Sequence, residues 1–151
     1  MTLSPYIARI RAQIGNDLLL VPTVAGLVQR RDAVLLVQHG DAGQWVIPGG
    51  MVEPDERPRD ALVREMREET SLDVEPLRVL DVLGGPEFTW TYANGHEVAF
   101  VMSLFECDAR GEPVPDGIET TAVRWAGPND WRELQRPHWM DLVMPTLWPS
   151  E

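Results

Sequence analysis

The chain contains no lysine: all 13 of its basic residues are arginine. Lysine Schiff-base chemistry, a lysine general base and the phosphate-binding lysine of a P-loop are thereby excluded. Cysteine is nearly absent as well. Cys107 stands alone, so no internal disulfide can form, and a cytoplasmic setting is expected. No apolar run approaches the ~20 residues that a membrane-spanning helix requires. The first 15 residues interrupt their apolar positions with Arg9 and Arg11, which argues against a secretory leader. Positive charge is scarce: 24 acidic residues against 13 basic ones leave a net charge of −11. Such a surface is a poor partner for nucleic acid, whose phosphates are bound by cations. Neither a nucleic acid nor a membrane is expected as partner.

What is present is ordinary in bulk and uneven in placement. A 44% hydrophobic and 25% charged composition over 151 residues fits one globular domain spanning 1–151. Seven of the 24 acidic residues (Glu53, Asp55, Glu56, Asp60, Glu65, Glu68, Glu69) fall between positions 53 and 69. That clustering is the first pointer to function.

Local patterns predict an α+β fold. Ser4-Pro5 resembles an N-cap followed by proline at the first helical position, and Ile7, Ile10 and Ile14 form an apolar stripe that Gly15 can close. The stripe should be buried on the domain or across a homodimer contact. Residues 23–29 and 33–38 read as a hairpin, 39–44 as a polar loop, and Trp45-Val46-Ile47 as a brief strand stopped by Pro48-Gly49-Gly50. A helix is predicted from about Glu56 to Thr70 with Asp55 as N-cap. Strands follow at 77–83, 87–92, 97–107 and 121–125, with Asn94-Gly95 as a hairpin turn. Asp130 and Glu133 have the spacing of a capping box opening a last helix, with Pro137 as a break. Two helices are expected to flank a mixed sheet.

The acidic helix is the most informative segment. With Ala61 at zero on a helical wheel, Leu62 falls at about 100° and Met66 at about 140°, while Glu65 falls at about 40°, Glu69 at about 80° and Glu68 at about 340°. Three carboxylates therefore point toward the body of the protein. At ~5 Å and an effective dielectric of 20, each close like-charge pair costs about 3 kcal/mol, which a structural role does not explain. The plain alternative is a solvated acidic helix with Arg57, Arg64 and Arg67 as counter-ions. Inward carboxylates are otherwise offset by a divalent cation, and oxygen donors favour Mg²⁺ or Mn²⁺. The twelve-residue loop of an EF-hand is missing.

Gly50, Glu56 and the run Arg64-Glu65-Met66-Arg67-Glu68-Glu69-Thr70-Ser71-Leu72 closely resemble the Nudix box, G-x5-E-x7-R-E-U-x-E-E-x-G-U, where U is apolar. Every fixed position matches except the last glycine, which is Ser71. The box spans 50–72, and the preceding Trp45 to Gly49 resembles the approach strand of that family. The resemblance implies an α/β/α sandwich and a Mg²⁺-dependent pyrophosphohydrolase (Mn²⁺ as second choice) acting on a nucleoside diphosphate linked to a group X. X covers nucleotide sugars, ADP-ribose, dinucleoside polyphosphates and oxidised or ordinary nucleoside triphosphates. It implies a metal held by Glu65, Glu68, Glu69 and the Gly49 carbonyl, with Glu65 or Glu68 as general base. Arg64 and Glu56 are implied as supports of the site. Ser71 should cost about 1 kcal/mol where a left-handed residue ends the helix, or shift that end.

Other residues read more plainly. Trp90 and Tyr92 can stack on a base, yet with Phe88 they also form an ordinary strand face. Glu119 is a candidate extra acid or base from its loop, and Glu53 a neighbour of the metal. His39, His96 and His138 each stand alone and read as surface or packing histidines. Cys107 reads as a small buried hydrophobe. Two further functions on the same fold are weighed. A diphosphate isomerase is disfavoured by the lone cysteine outside the box, and a non-catalytic nucleotide sensor by the presence of all three box glutamates.

Overall fold

The computed structural model describes residues 4–40 and 42–148. Asp41, in the predicted polar loop, lies outside them. Helix α1 (Pro5–Ile14) opens as its sequence predicts, with the Ser4 hydroxyl accepting the Ile7 N–H at 3.2 Å. Its apolar stripe is only partly buried: Ile7 is inside, whereas Ile10 and Ile14 are half-buried. The other residue this helix buries is Arg11. Its guanidinium donates to the carbonyls of Gly15 (3.1 Å), Asp17 (2.6 Å) and Glu97 (2.6 Å). Arginine can be buried there because its fixed fork meets three backbone acceptors at once.

Strand β1 (Leu19–Arg30) is the spine of the sheet. It pairs in parallel with β7 (Glu97–Arg110), from Leu19 with Val98 through Val28 with Cys107. Its far end turns at Arg31-Asp32 into β2 (Ala33–His39), closing the predicted hairpin. Strand β3 (Trp45–Val46) pairs with β2. Strand β4 (Gly49–Met51) pairs antiparallel with Val24 and Ala25 of β1. Strand β5 (Asp73–Leu83) and the short β6 (Thr89–Thr91) pair with β7, and β8 (Thr120–Ala126) pairs with β2.

One face of the sheet is covered by helix α2 (Pro58–Thr70), through Ala61, Leu62 and Met66 on Val24, Val28 and Phe105. The other is covered by α3 (Trp139–Leu147), through Met140, Val143 and Leu147 on Leu27, Val34 and Leu36. The mixed, curled sheet with its helices is the α+β architecture expected from the sequence.

Several local expectations need correction. α2 begins at Pro58, not Glu56, and Arg57 rather than Asp55 stands at its N-cap, with no side-chain capping bond. The reason lies in the preceding turn: the Glu56 N–H donates to the Glu53 carbonyl, and the Glu56 carboxylate is engaged by the Glu53 N–H and by Arg64. The run 87–92 is not one strand, because Pro86–Phe88 forms a 3₁₀ turn that buries Phe88 against Trp139. The capping box at 130–133 does not form. Asp130 instead accepts the Gly127 N–H at 2.7 Å and pairs with Arg124, so only a 3₁₀ turn follows. The last helix starts after Pro137 and runs through Pro145.

Candidate active site

Two consecutive glycines make the floor of the site. The Gly49 N–H donates to Glu69 Oε2 at 2.9 Å, so the β3–β4 turn grips the carboxylate through its backbone. A Cβ on Gly49 would lie 2.0 Å from the Val24 carbonyl oxygen, inside the β1–β4 pairing. A Cβ on Gly50 would lie 2.4 Å from the Glu65 carboxyl carbon. Only glycine lets β4 pair with β1 on one side and receive two carboxylates on the other.

Helix α2 presents its glutamates at graded depths. Glu69 is 4% exposed, and the side chain of Glu65 is 15% exposed. Glu68 departs from the wheel: its side chain is 59% exposed, at the rim, where Arg64 holds it at 3.2 Å. Helical spacing alone cannot tell an inward direction from a rim direction when the packed surface curves away.

Arg64 ties the group together. Its Nε and one terminal nitrogen donate to both oxygens of Glu56 at 2.6 and 2.9 Å, and its other terminal nitrogen reaches Glu65 at 2.8 Å. It also donates to the Met51 carbonyl at 3.1 Å. The ion pair with Arg64 holds the Glu56 carboxyl below the usual carboxylate range. Burial pushes the Glu65 carboxyl the other way, up to about 7, against the pull of Arg64 and helped by the neighbouring Glu69 and Glu68 charges. The plain reading of arginine counter-ions thus holds for Arg64 and fails for Arg67, which pairs with Asp73 on the surface.

His39 is the residue that sequence reasoning missed. From the end of β2 its Nε2 lies 3.3 Å from Glu69 Oε1. No short-range pattern links it to α2, since about thirty positions separate the two residues and the folding of β2 beside the β3–β4 turn brings them together. Glu119 arrives at the same end of the sheet, its carbonyl accepting the Gly40 N–H at 3.0 Å. Trp90 does not. It pairs with Val98, which pairs with Leu19, five residues along β1 from the Val24–Gly50 contact, or ~17 Å. Tyr92 follows at the hairpin beyond it, its N–H donated to the His96 carbonyl. Glu53 braces the turn before α2 through its backbone. His138 is exposed at the start of α3, and His96 lies in the 93–96 turn. Cys107 is buried and burial pushes its thiol up to about 12, which suits a small hydrophobe and not a nucleophile.

The donors here are oxygens, the kind a hard divalent cation takes. Among the described residues no three His, Cys, Asp or Glu side chains converge into a ready-made cage. The buried pair Glu65 and Glu69 nonetheless fits such an ion, because two close carboxylates out of water call for positive charge that the single Arg64 supplies to only one of them.

Comparison with known proteins gives the family. A profile of the NUDIX domain matches residues 19–147. A MutT-like protein from Streptomyces ambofaciens is 36% identical over 112 residues, covering 74% of this chain and 66% of that protein. Nucleoside triphosphatase NudI from Escherichia coli K12 is 34% identical over 119 residues, covering 71% of this chain and 82% of NudI. Among solved structures, an ADP-ribose pyrophosphatase from Streptococcus suis aligns with a TM-score of 0.59 at 30% identity, over 78% of this chain and 79% of that one. The MutT protein from Bacillus halodurans shares the fold, with a TM-score of 0.68 at 21% identity over 85% and 82% of the two chains. The profile match over 19–147 and the identity to these relatives show that the chain belongs to the Nudix family of pyrophosphohydrolases.

Proposed function

We propose that this chain is a divalent-cation-dependent hydrolase, using Mg²⁺ first and Mn²⁺ second, that cleaves the pyrophosphate bond of a nucleoside diphosphate linked to X. The activities for which its relatives are named favour a nucleoside triphosphate or ADP-ribose over the other members of that class. The observation that carries the reading is the buried pair Glu65 and Glu69 against the Gly49-Gly50 turn. Glu65, Glu69, the rim residue Glu68 and the Gly49 carbonyl would hold the cation. When bound it would neutralise charge on the phosphate oxygens and acidify a water. Glu65 or Glu68 would take the proton of the attacking water. Arg64 and Glu56 keep Glu65 in place, and Glu119 flanks the site from its loop. The enzyme works as one domain in the cytoplasm. No described helix is long and apolar enough to cross a membrane.

The test is a panel of nucleoside diphosphate compounds incubated with Mg²⁺, with Mn²⁺ or with a strong chelator, the products being identified by mass. Release of a nucleoside monophosphate only in the presence of a cation is expected. Cleavage that persists unchanged in chelator would overturn the reading.

A further inference from the structure

We propose that His39 is a positioning residue of this site, holding one oxygen of Glu69 while the Gly49 N–H holds the other. The inference rests on the metal-site reading above and adds a residue outside the box. Glu69 Oε2 accepts from Gly49 at 2.9 Å, and Glu69 Oε1 faces His39 Nε2 at 3.3 Å. The carboxylate is therefore addressed from two elements, the β3–β4 turn and the end of β2. A single hold would leave it free to turn about its last bond, and a second hold fixes its plane before any ligand arrives.

His39 is itself well anchored. Its N–H donates to the Gln44 carbonyl at 3.1 Å, its carbonyl accepts the Gly43 N–H at 2.9 Å, and it pairs with Thr120 across β8. Thr120 is fully buried, and its hydroxyl has no hydrogen-bond partner among the described residues. Packing alone would favour an apolar side chain at the buried Thr120 position, beside the half-exposed His39. At 3.3 Å the nitrogen lies within ion-pair reach of Oε1, slightly farther than in a tight hydrogen bond. Residues that orient a metal-binding side chain typically account for about 10- to 100-fold in metal affinity.

The experiment titrates the full chain with Mn²⁺ alone, following free Mn²⁺ by electron paramagnetic resonance, and then measures kcat and KM across Mn²⁺ concentrations. His39→Leu should weaken Mn²⁺ binding about 10-fold or more, leave KM for the nucleotide unchanged at saturating Mn²⁺, and recover most of kcat there. His39→Gln keeps an N–H at similar reach and should stay within about 3-fold of the parent. Thermal unfolding checks that each variant folds. Should His39→Leu not fold, His39→Asn, whose amide is too short to reach Oε1, takes its place. Unchanged Mn²⁺ affinity with a raised KM would show that His39 touches substrate and would overturn the proposal. Equal weakening by the leucine and glutamine substitutions would reduce the ring to packing and overturn it too. A parent chain that binds no Mn²⁺ would instead sink the metal-site reading itself.

Discussion

The two faces of the sheet are built for different ends. Beneath α3 the packed core is aliphatic and aromatic, with Met140, Val143 and Leu147 in one cluster with Leu27, Val34 and Leu36. Beneath α2 a smaller apolar patch around Leu62 and Met66 gives way, toward the Gly49-Gly50 turn, to Glu65 and Glu69. Both helices are amphipathic, but α2 turns two carboxylates toward protein where α3 turns aliphatic side chains. The difference teaches where stability can be lost without chemistry and where chemistry can be lost without stability.

The sharpest way to break that division is on the α3 face. Met140→Ala removes a fully buried side chain far along the chain from the box, and should cost about 3 kcal/mol in denaturant unfolding with kcat unchanged below the melting point. A matching loss of kcat at full folding would merge the two faces into one. Next in size is Glu69→Gln, which keeps volume and an acceptor for the Gly49 N–H. Turnover should fall about 10²-fold, equivalent to about 2.7 kcal/mol in the barrier. In chelator the variant should be as stable as the parent, or more stable by about 0.5–1 kcal/mol, because a buried like charge is gone. A variant that is much less stable in chelator yet fully active would make Glu69 a structural residue.

A smaller effect should appear in the pH dependence of the metal-free protein. The Glu65 carboxyl sits at about 7 in the folded chain, above its ordinary value of 4.5, so the folded state binds its proton more tightly than the unfolded one. That contribution is fully present below the ordinary value and is lost as pH rises toward and through about 7. Allowing for solvent screening of a partly exposed group, stability in chelator should drop by about 1–2 kcal/mol between about pH 5 and pH 8 from this residue. Glu65→Gln should flatten that slope, and thermal unfolding at several pH values reads it. A slope unaltered by the substitution would place the titration elsewhere. The least effect is reserved for the helix end. Ser71 adopts φ 58°, ψ 12°, the left-handed conformation that glycine tolerates best. Ser71→Gly should therefore raise stability by up to about 1 kcal/mol with no change in turnover. A loss of stability would show that the serine side chain makes up for its strain.

How much of this was legible beforehand follows the range of the interactions. The box glutamates could be found because their direction is set within two turns of one helix, and Glu65 and Glu69 lie where the wheel puts them. Glu68 could not, because whether a helical position is covered depends on the outline of the neighbouring sheet. Strand β4 is only three residues long and begins with the two glycines of the turn, so it has no periodicity to detect. α3 is obscured by Pro137, which reads as a break although it precedes the helix, and the helix carries Pro145 inside it. Arg11 looked like an interruption of an apolar stripe and proves to be a bridge, since its three carbonyl acceptors come from segments as distant as Glu97. His39 belongs to the same class: its meaning comes from a contact across about thirty positions.

The Gly49 amide offers a direct view of the site's motions. Its proton is bonded to a carboxylate and not to a strand partner, while its own residue belongs to the short strand that edges β1. Exchange of that one proton with deuterated solvent therefore requires the Glu69 side chain to let go, and neighbouring amides in β4 need not follow. A divalent cation that engages Glu69 should alter the protection of Gly49 while leaving that of Val24 as it was. The rate of one backbone proton thus becomes a clock for how long the carboxylate stays in place.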